Sequence, residues 1–305
     1  MEKVRIGIIG AGGVVESRHL PGLEGVEGVE IDSIWSRDLE RAGKVAQEHG
    51  IGRVRQEWED IVRDGGIDAV IVAAPPVLHA VASIAGLEEG KHVLCQGRMA
   101  RNLREAGEMV AAAEKAEKVA ALYPPRPGLK GDRVVQRLLG EGYVGEVREV
   151  RVSGMSLVEV PDIYRWMDDP EVVGVNSMAL GLWAEVLNRW VGPATRVAAV
   201  AQMHGQQRMT PAGEQVAATV PDTLAVVAQL ECGATASYHF STAAAFGPGS
   251  FIEIYGTRGA LVYEMFADQL RGATEGDGEL QVIVVEDPPA PGVALLPIVF
   301  ELRFC

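Results

Sequence analysis

The sequence contains few cysteines. Cys95, Cys232 and Cys305 are far apart and odd in number, and none of them belongs to a C-x-x-C pair. They therefore indicate neither a disulfide framework nor a C-x-x-C metal site. It is typical of a protein from the reducing cytosol, so we expect a cytoplasmic location.

Long apolar runs are also missing. No run approaches the roughly 18 residues that are needed to cross a bilayer. The first predicted strand begins near Val4, which leaves no room for a secretory signal before it. We therefore expect no membrane partner.

Positive charge is scarce. Lys and Arg number 28 against 42 Asp and Glu, which gives a formal net charge of -14. A chain of this charge repels nucleic-acid phosphates, so we expect no nucleic-acid partner, although a local cationic pocket for a small anion stays open. The sequence also lacks an H-E-x-x-H motif, a Ser-His-Asp order and a carboxylate cluster. We therefore expect no metal centre and no hydrolase of those types.

The first 122 residues alternate between two kinds of pattern. Short apolar, β-rich segments predict strands at 4–10, 28–36, 67–76 and 91–95. Helical patterns lie between them, and this alternation predicts βαβ units in a doubly wound parallel sheet of the Rossmann type. We assign residues 1–122 to this α/β domain.

Two of the predicted helices have recognisable ends. The segment 38–50 carries an apolar helical face and finishes in a glycine. Asn102 and Glu105 have the spacing of a capping box, and the apolar period that follows predicts a helix to about Lys118.

The pattern changes after residue 122. Strand-like runs with partly alternating polarity are separated by Gly, Pro and Asp, and one helix is predicted at 176–192. This predicts an α+β domain over 123–305 with a mostly antiparallel open sheet, one side of which faces solvent or an interface. Its last residues, 288–305, are either an added strand or a shortened end.

A glycine-rich turn follows the first strand. Gly10, Gly12 and Gly13 stand in "GIIGAGGVVESRHLPGL", and the third position of the usual G-x-G-x-x-G/A pattern is taken by Val15. Glycines here let backbone N–H groups, including that of Val14, approach a pyrophosphate at a helix N-terminus. The alternative is a strand-to-helix turn with no ligand.

The end of the second strand bears on the choice of coenzyme, because it lies beside the adenosine ribose in such folds. It reads Ser36-Arg37 rather than Asp or Glu. These side chains can donate hydrogen bonds to a 2′-phosphate, which favours NADP(H) over NAD(H). The alternative is that Arg37 is a solvated charge and that Ser36 caps the next helix.

Several segments together resemble the Gfo/Idh/MocA family of oxidoreductases, in the family's order and over roughly residues 4–265. They read "IGIIGAGGVVESRHLPGL", "SRDLERAGKVA", "VIVAAPPVLHA", "GLEEGKHVLCQGRMA", "LLGEGYVGEVREVRV" and "YRWMDD". The resemblance implies hydride transfer between NAD(P) and a sugar, polyol or similar small carbonyl compound. It also implies that the C-terminal sheet walls the active site and often joins subunits, so we expect a homo-oligomer.

The resemblance also assigns residues to the coenzyme. Pro75, Pro76 and His79 match the family's loop beside the cofactor, and Ala74, Pro75 and His79 are the candidate contacts. His79 is equally compatible with a helix-face position held by the backbone. The family's Glu-Lys-Pro triplet is replaced here by Gln96, Gly97 and Arg98. Gln96 can still bind a cofactor amide or ribose.

Proton transfer is where the chain departs from the family. Gly97 stands where the family has a lysine near the nicotinamide, and Arg98 can act as an electrostatic clamp but not as a base. A family Asp and His correspond to Ala179 and Trp183. Candidate replacements are Glu185 in the same helix and Tyr164 in a loop on the substrate side, alongside alternatives in which both are surface residues.

Three hypotheses about function follow. The first is an oxidoreductase with a non-standard set of proton-transfer residues. The second is a nucleotide-binding sensor or partner subunit without redox turnover, because Lys and His are lost while the glycine turn is kept. The third is an NAD(P)-dependent lyase or glycosidase, which would also need a base near the nicotinamide.

Overall fold

The computed structural model describes seven stretches of the chain: 3–123, 129–155, 163–174, 180–204, 207–210, 212–217 and 219–285. Among these residues the chain divides into two compact units. The first unit comprises 3–123 and 170–174, and the second comprises the other described residues. Ala179 and the segment 288–305 lie outside the described residues. The expected domain boundary after residue 122 stays a prediction.

The first unit is built on a six-stranded sheet in the order β3-β2-β1-β4-β5-β6, with every neighbouring pair parallel. This is the strand order of dinucleotide-binding folds, so the predicted Rossmann-type sheet is confirmed. The strands are β1 Val4–Ile9, β2 Val29–Trp35, β3 Arg53–Val54, β4 Ala69–Val72, β5 His92–Gln96 and β6 Ala120–Tyr123.

Helices cover both faces of this sheet. They are α1 Leu20–Glu24, α2 Leu39–His49, α3 Glu59–Arg63, α4 His79–Glu88 and α5 Leu103–Lys115, with a wide π-turn at Val15–His19, a 3-10 turn at Pro76–Leu78 and a single helical turn at Pro170–Val173. The hydrophobic core follows strand alternation, because Ile8 packs on one face and Ile9 on the other. Both side chains are fully buried, as expected for the apolar C-terminal half of a strand that is covered on both faces.

The predicted helix ends are largely confirmed. Asp38 accepts the Arg41 N–H at 3.0 Å, and Gly50 ends α2 in the left-handed conformation at φ 67°. The Asn102 side chain accepts the Glu105 N–H at 3.0 Å. Helix α5 ends at Lys115, earlier than predicted, because Ala116 is already extended on the way into β6.

The second unit is built on an eight-stranded mixed sheet in the order β16-β15-β14-β13-β7-β12-β11-β8. Its neighbouring strands are antiparallel except for the parallel pair β7–β12, which confirms the mostly antiparallel sheet. The strands are β7 Val147–Met155, β8 Ala194–Gln202, β11 Thr223–Leu230, β12 Thr235–Ser241, β13 Gly249–Gly256, β14 Gly259–Glu264, β15 Gln269–Thr274 and β16 Gln281–Ile283, and a separate hairpin is formed by β9 Gln207–Met209 and β10 Gln215–Ala217.

One face of the large sheet is covered and the other is open. Along β11, Leu224 and Val226 are buried while Ala225 and Val227 are exposed. The covering helices are α6 Asp132–Gly140 and α7 Leu180–Val191, whose apolar side chains join the same core. Among the described residues of both units, no helix combines the length and apolar character of a membrane span.

Candidate active site

The glycine turn lies where β1 ends, and its three glycines meet different surroundings. Gly10 has φ 124°, and a Cβ at this position would lie 2.4 Å from the Ala73 carbonyl oxygen. Only glycine fits there. A Cβ at Gly12 or Gly13 would meet no protein atom within 4 Å. The space beside these two backbones is therefore open to a ligand, and it fits a dinucleotide pyrophosphate.

The helix that follows departs from the usual pattern. Val15, at the place of the third glycine, is fully buried, and its N–H donates to the Gly12 carbonyl at 2.8 Å. The larger side chain coincides with the start of the π-turn at Val15–His19. Val14 precedes this turn with its side chain 39% exposed. Val15 thus belongs to the core, while Gly12 to Val14 form the accessible part of the turn.

At the end of β2 the structure places Ser36 and Arg37 beside the first turn of α2. Arg37 is exposed, and the Ser36 hydroxyl accepts the Asp38 N–H at 3.3 Å. The alternative in which Ser36 caps the helix is wrong, because Asp38 is the N-cap. Arg41 forms an ion pair with Glu16 at 3.1 Å, which connects α2 to the helix after the glycine turn.

His79 lies at the N-terminus of α4 and is only 2% exposed. Its Nδ1 is 2.7 Å from the Arg98 carbonyl oxygen, and its Nε2 is 2.7 Å from the Ala74 carbonyl oxygen. The ring therefore lies between the end of β4 and the loop after β5, and in its neutral form it donates to one of these two carbonyls. This geometry favours the position held by the backbone. Contacts of Ala74, Pro75 and His79 with a coenzyme stay predictions.

The triplet at the end of β5 is held by groups that the sequence did not single out. The Gly97 N–H donates to the Tyr123 carbonyl at 2.6 Å. Gln96 Oε1 lies 3.3 Å from Nε2 of His19, which is 6% exposed. Arg98 is half-buried, and burial lowers the pKa of its guanidinium. The sequence signal that could have identified His19 was its position nine residues after Gly10, in the helical segment that follows the glycine turn.

Burial also lowers the pKa of both site imidazoles, His19 and His79, below the ordinary value of 6.5. A histidine with a depressed pKa stabilises the fold fully above pH 6.5, and this contribution is lost as the pH falls from 6.5 towards the depressed pKa. We expect the free energy of unfolding to fall over this window by at most about 1.4 kcal/mol per pH unit for each ring.

Urea unfolding between pH 8 and pH 5 measures this dependence. In His19→Gln and His79→Gln the slope below pH 6.5 should become shallower than in the wild type. His239→Gln is the matched control, because His239 is exposed on β12. Equal slopes in the wild type and in both site variants would contradict the prediction.

In the second unit, Tyr164 lies in a loop fastened to β9. Its N–H donates to the Met209 carbonyl at 2.7 Å. Asp168 accepts the Arg165 N–H at 2.8 Å and lies 3.5 Å from Arg208 Nη1, and Asp168 and Arg208 are both less than 10% exposed. Burial and the carboxylates that follow it raise the pKa of the Tyr164 hydroxyl, which therefore stays protonated at neutral pH. Sequence reasoning missed the buried pair Asp168–Arg208.

The helix α7 carries the other departures from the family pattern. Trp183 is buried and packs against Phe240 with ring centroids 6.3 Å apart, so it is a core residue. Glu185 pairs with Arg189 at 2.7 Å, and Arg189 also reaches Asp132 at 2.5 Å. This network favours a structural role for Glu185, and its catalytic role stays a prediction. Within the described ranges, no group of three or more His, Cys, Asp or Glu is placed to hold a metal ion.

Comparison with known families gives two consecutive matches. Residues 4–123 match the GFO_IDH_MocA profile, described as an oxidoreductase family with an NAD-binding Rossmann fold. Residues 133–262 match the GFO/IDH/MocA C-terminal domain. Together the two matches cover most of the chain.

Individual relatives share about a fifth to a third of their aligned residues with this chain. A 1,5-anhydro-D-fructose reductase of Ensifer adhaerens is 28% identical over 259 residues, which cover 85% of this chain and 75% of that protein. A scyllo-inositol 2-dehydrogenase (NADP(+)) of Bacillus subtilis is 32% identical over 111 residues, which cover 36% of this chain and 34% of that protein. The solved structure of levoglucosan dehydrogenase in complex with NADH and L-sorbose is similar in fold, with a TM-score of 0.81 and 22% identity over 97% of this chain and 84% of that one.

Proposed function

Because the chain belongs to the Gfo/Idh/MocA oxidoreductase family, we propose that it transfers a hydride between NADP(H) and a sugar, polyol or similar small carbonyl or hydroxyl compound. The observation that carries the proposal is the glycine turn. Gly10 is locked against Ala73, while Gly12 and Gly13 leave open space at the start of a helix. When bound, the nicotinamide supplies or accepts the hydride.

The chain's own residues have to hold the coenzyme and manage the proton. The backbone of Gly12, Gly13 and Val14 would bind the pyrophosphate, because amide groups in the first turn of a helix have no partner within the helix. Gln96 and the loop at Ala74 and Pro75 would bind the nicotinamide end.

Arg98 and Tyr164 are the proposed replacements for the family's proton-transfer residues. In a reduction, the hydride goes to the carbonyl carbon and a proton must reach the carbonyl oxygen. A guanidinium stays charged and stabilises the developing alkoxide electrostatically. The Tyr164 hydroxyl would donate the proton, because it is protonated at neutral pH, although its raised pKa makes it a weaker acid than an ordinary tyrosine.

NADP(H) is the proposed coenzyme because the end of β2 carries the exposed Arg37 and the Ser36 hydroxyl and no carboxylate at these two positions. We expect the wild type to bind NADPH about tenfold more tightly than NADH, and Arg37→Ala to remove this preference by weakening NADPH binding alone. Fluorescence titration with both coenzymes measures the two affinities.

Lys44→Ala is the control, because Lys44 is an exposed cation on the neighbouring helix α2 and pairs with Glu40. Equal affinities for NADPH and NADH in the wild type would overturn the preference for NADP(H). Failure to bind either coenzyme at high micromolar concentration would overturn the proposed function itself.

A second candidate is a nucleotide-binding protein without redox turnover. It is favoured by one specific observation, which is that Gly97 and the buried Trp183 occupy the places of the family's lysine and histidine. Oxidation of NADPH against a panel of aldoses, ketoses and inosones separates the two candidates. Tight binding without turnover on any of these compounds would favour the second.

We also propose that the chain forms a homo-oligomer through the open face of the second unit's sheet. Val227 of β11 pairs with Ala198 of β8, and Val200 of β8 pairs with Ala225 of β11, so both valines lie on this face. They are 55% and 68% exposed. Exposed β-branched side chains on a wide sheet are suited to association with a second sheet. Light scattering of the purified chain tests the proposal.

A further inference from the structure

His19, Gln96 and Tyr123 form a closed set of contacts at the carboxyl edge of the first unit's sheet. His19 Nε2 is 3.3 Å from Gln96 Oε1, and its ring centroid is 5.0 Å from that of Tyr123. The Tyr123 carbonyl in turn accepts the Gly97 N–H, at 2.6 Å. The helix after the glycine turn, the end of β5 and the end of β6 therefore meet at Gln96 and Gly97.

The chemistry of this contact fixes the direction of the hydrogen bond. An amide oxygen only accepts, so Nε2 of His19 must carry the proton and donate it to Oε1 of Gln96. One lone pair of the Gln96 oxygen is then used. Its NH2 group donates to no acceptor in the part of the chain that the structure describes. Gln96 therefore presents two N–H donors to a ligand, while His19 fixes which way the amide points.

The surroundings of His19 hold the ring in this state. The side chain is buried, and burial lowers its pKa, so the imidazole is neutral at pH 7. The tilted contact with Tyr123, at an interplanar angle of 59°, restricts rotation of the ring. A neutral ring with its proton on Nε2 keeps the Gln96 amide from flipping.

We infer that His19 is a positioning residue that orients the Gln96 amide, so that its NH2 group donates to an acceptor oxygen of the bound coenzyme. This inference rests on the proposed function, because it takes the ligand of Gln96 to be NADP(H). The acceptor is a ribose hydroxyl oxygen or the carboxamide oxygen of the nicotinamide, both of which have lone pairs for an N–H donor. A carboxylate at position 96 would place two acceptors there instead.

The test compares two substitutions of His19 that remove different properties. His19→Phe keeps an aromatic ring beside Tyr123 and removes the donor, so the dissociation constant for NADPH should rise about tenfold. His19→Gln keeps an N–H donor and removes the ring, so the dissociation constant should stay within about threefold of the wild type. Fluorescence titration measures the affinities, and circular dichroism confirms that each variant is folded.

A double-variant cycle shows whether His19 acts through Gln96. Gln96→Leu should weaken NADPH binding as much as His19→Phe does, and the double variant should be no weaker than either single variant. A merely structural role for His19 would give additive losses.

A spectroscopic measurement tests the contact without any coenzyme. ¹⁵N NMR of the free protein should show His19 as the neutral tautomer with the proton on Nε2, and Gln96→Glu should raise its pKa by pairing it with a carboxylate. A proton on Nδ1, or wild-type affinity in His19→Phe, would overturn the inference while leaving the proposed function intact. If the wild type bound neither NADPH nor NADH, the proposed function would be wrong, and the coenzyme could not be the ligand of Gln96.

Discussion

Two alanine substitutions in the glycine turn are expected to separate folding from coenzyme binding. Gly10→Ala should lower the free energy of unfolding by about 3 kcal/mol, because it forces a Cβ into a left-handed backbone and against a carbonyl. The φ angle of Gly10 is 124°, and the added Cβ would lie 2.4 Å from the Ala73 oxygen. That oxygen is backbone of the neighbouring strand connection, so it cannot move aside without displacing the end of β4.

Gly12→Ala should have the opposite profile. No protein atom lies within 4 Å of its added Cβ, and Gly12 is not in the left-handed region. We expect the free energy of unfolding to change by less than about 1 kcal/mol. The new methyl group would occupy the space beside the backbone that approaches the pyrophosphate, so the affinity for NADPH should fall about 10- to 100-fold.

Urea unfolding measures the free energy of unfolding of Gly10→Ala and Gly12→Ala, and fluorescence titration measures their affinities for NADPH. Gly43→Ala in α2 is the control for the substitution itself, because its Cβ also meets nothing within 4 Å and it lies in a regular helix. That variant should bind NADPH normally and be slightly more stable than the wild type. Normal NADPH binding by Gly12→Ala would show that the open space beside the turn is not the pyrophosphate site.

Sequence patterns were sufficient for elements whose signal is local. Strands β1, β2, β4 and β5 each contain a buried apolar stretch, and the sequence predicted all four. The end of α2 was equally readable, since Gly50 acts on its own neighbours, whereas its N-cap Asp38 was not singled out from the sequence. The alternation along β11 predicted an open face because the strand period is two.

The sequence did not predict the elements that depend on distant partners. Strand β3 has only two residues, and the four residues of β6 are all only partly buried, unlike the buried β4; both strands form by pairing with β2 and β5. The contact between His19 and Gln96 joins residues 77 positions apart. The predicted strand ends gave the positions of the site loops. The side chains that contact these loops come from distant parts of the chain, so no local pattern predicted them.

The pair Asp168–Arg208 is a second case of this kind, and its removal carries the other large expected effect. Each residue is a charged side chain in a polar segment, so the sequence gives no sign that it is buried. The two become buried together because the loop 163–169 packs on β9. Asp168→Ala should lower the free energy of unfolding by about 3–5 kcal/mol, because the buried Arg208 guanidinium loses its carboxylate.

Loss of this pair should also affect the proposed proton donor. Tyr164 lies four residues before Asp168 in the same loop, and both ends of the loop are fastened to β9, at Met209 and Arg208. Freeing one end should lower turnover on any active substrate, while the affinity for NADPH should change less than twofold. Activity assays and coenzyme titration of the same variant measure the two effects.

Glu141→Ala is the matched control for losing a carboxylate. Its partner Arg137 and Glu141 itself are 59% and 57% exposed, so the cost should be about 0.5 kcal/mol. A second comparison uses Asp168→Ala with Arg208→Met, which removes both charges and should recover part of the lost stability. If Asp168→Ala cost no more than Glu141→Ala, or if the double variant were less stable than Asp168→Ala, the burial of this pair would not be what holds the Tyr164 loop on β9.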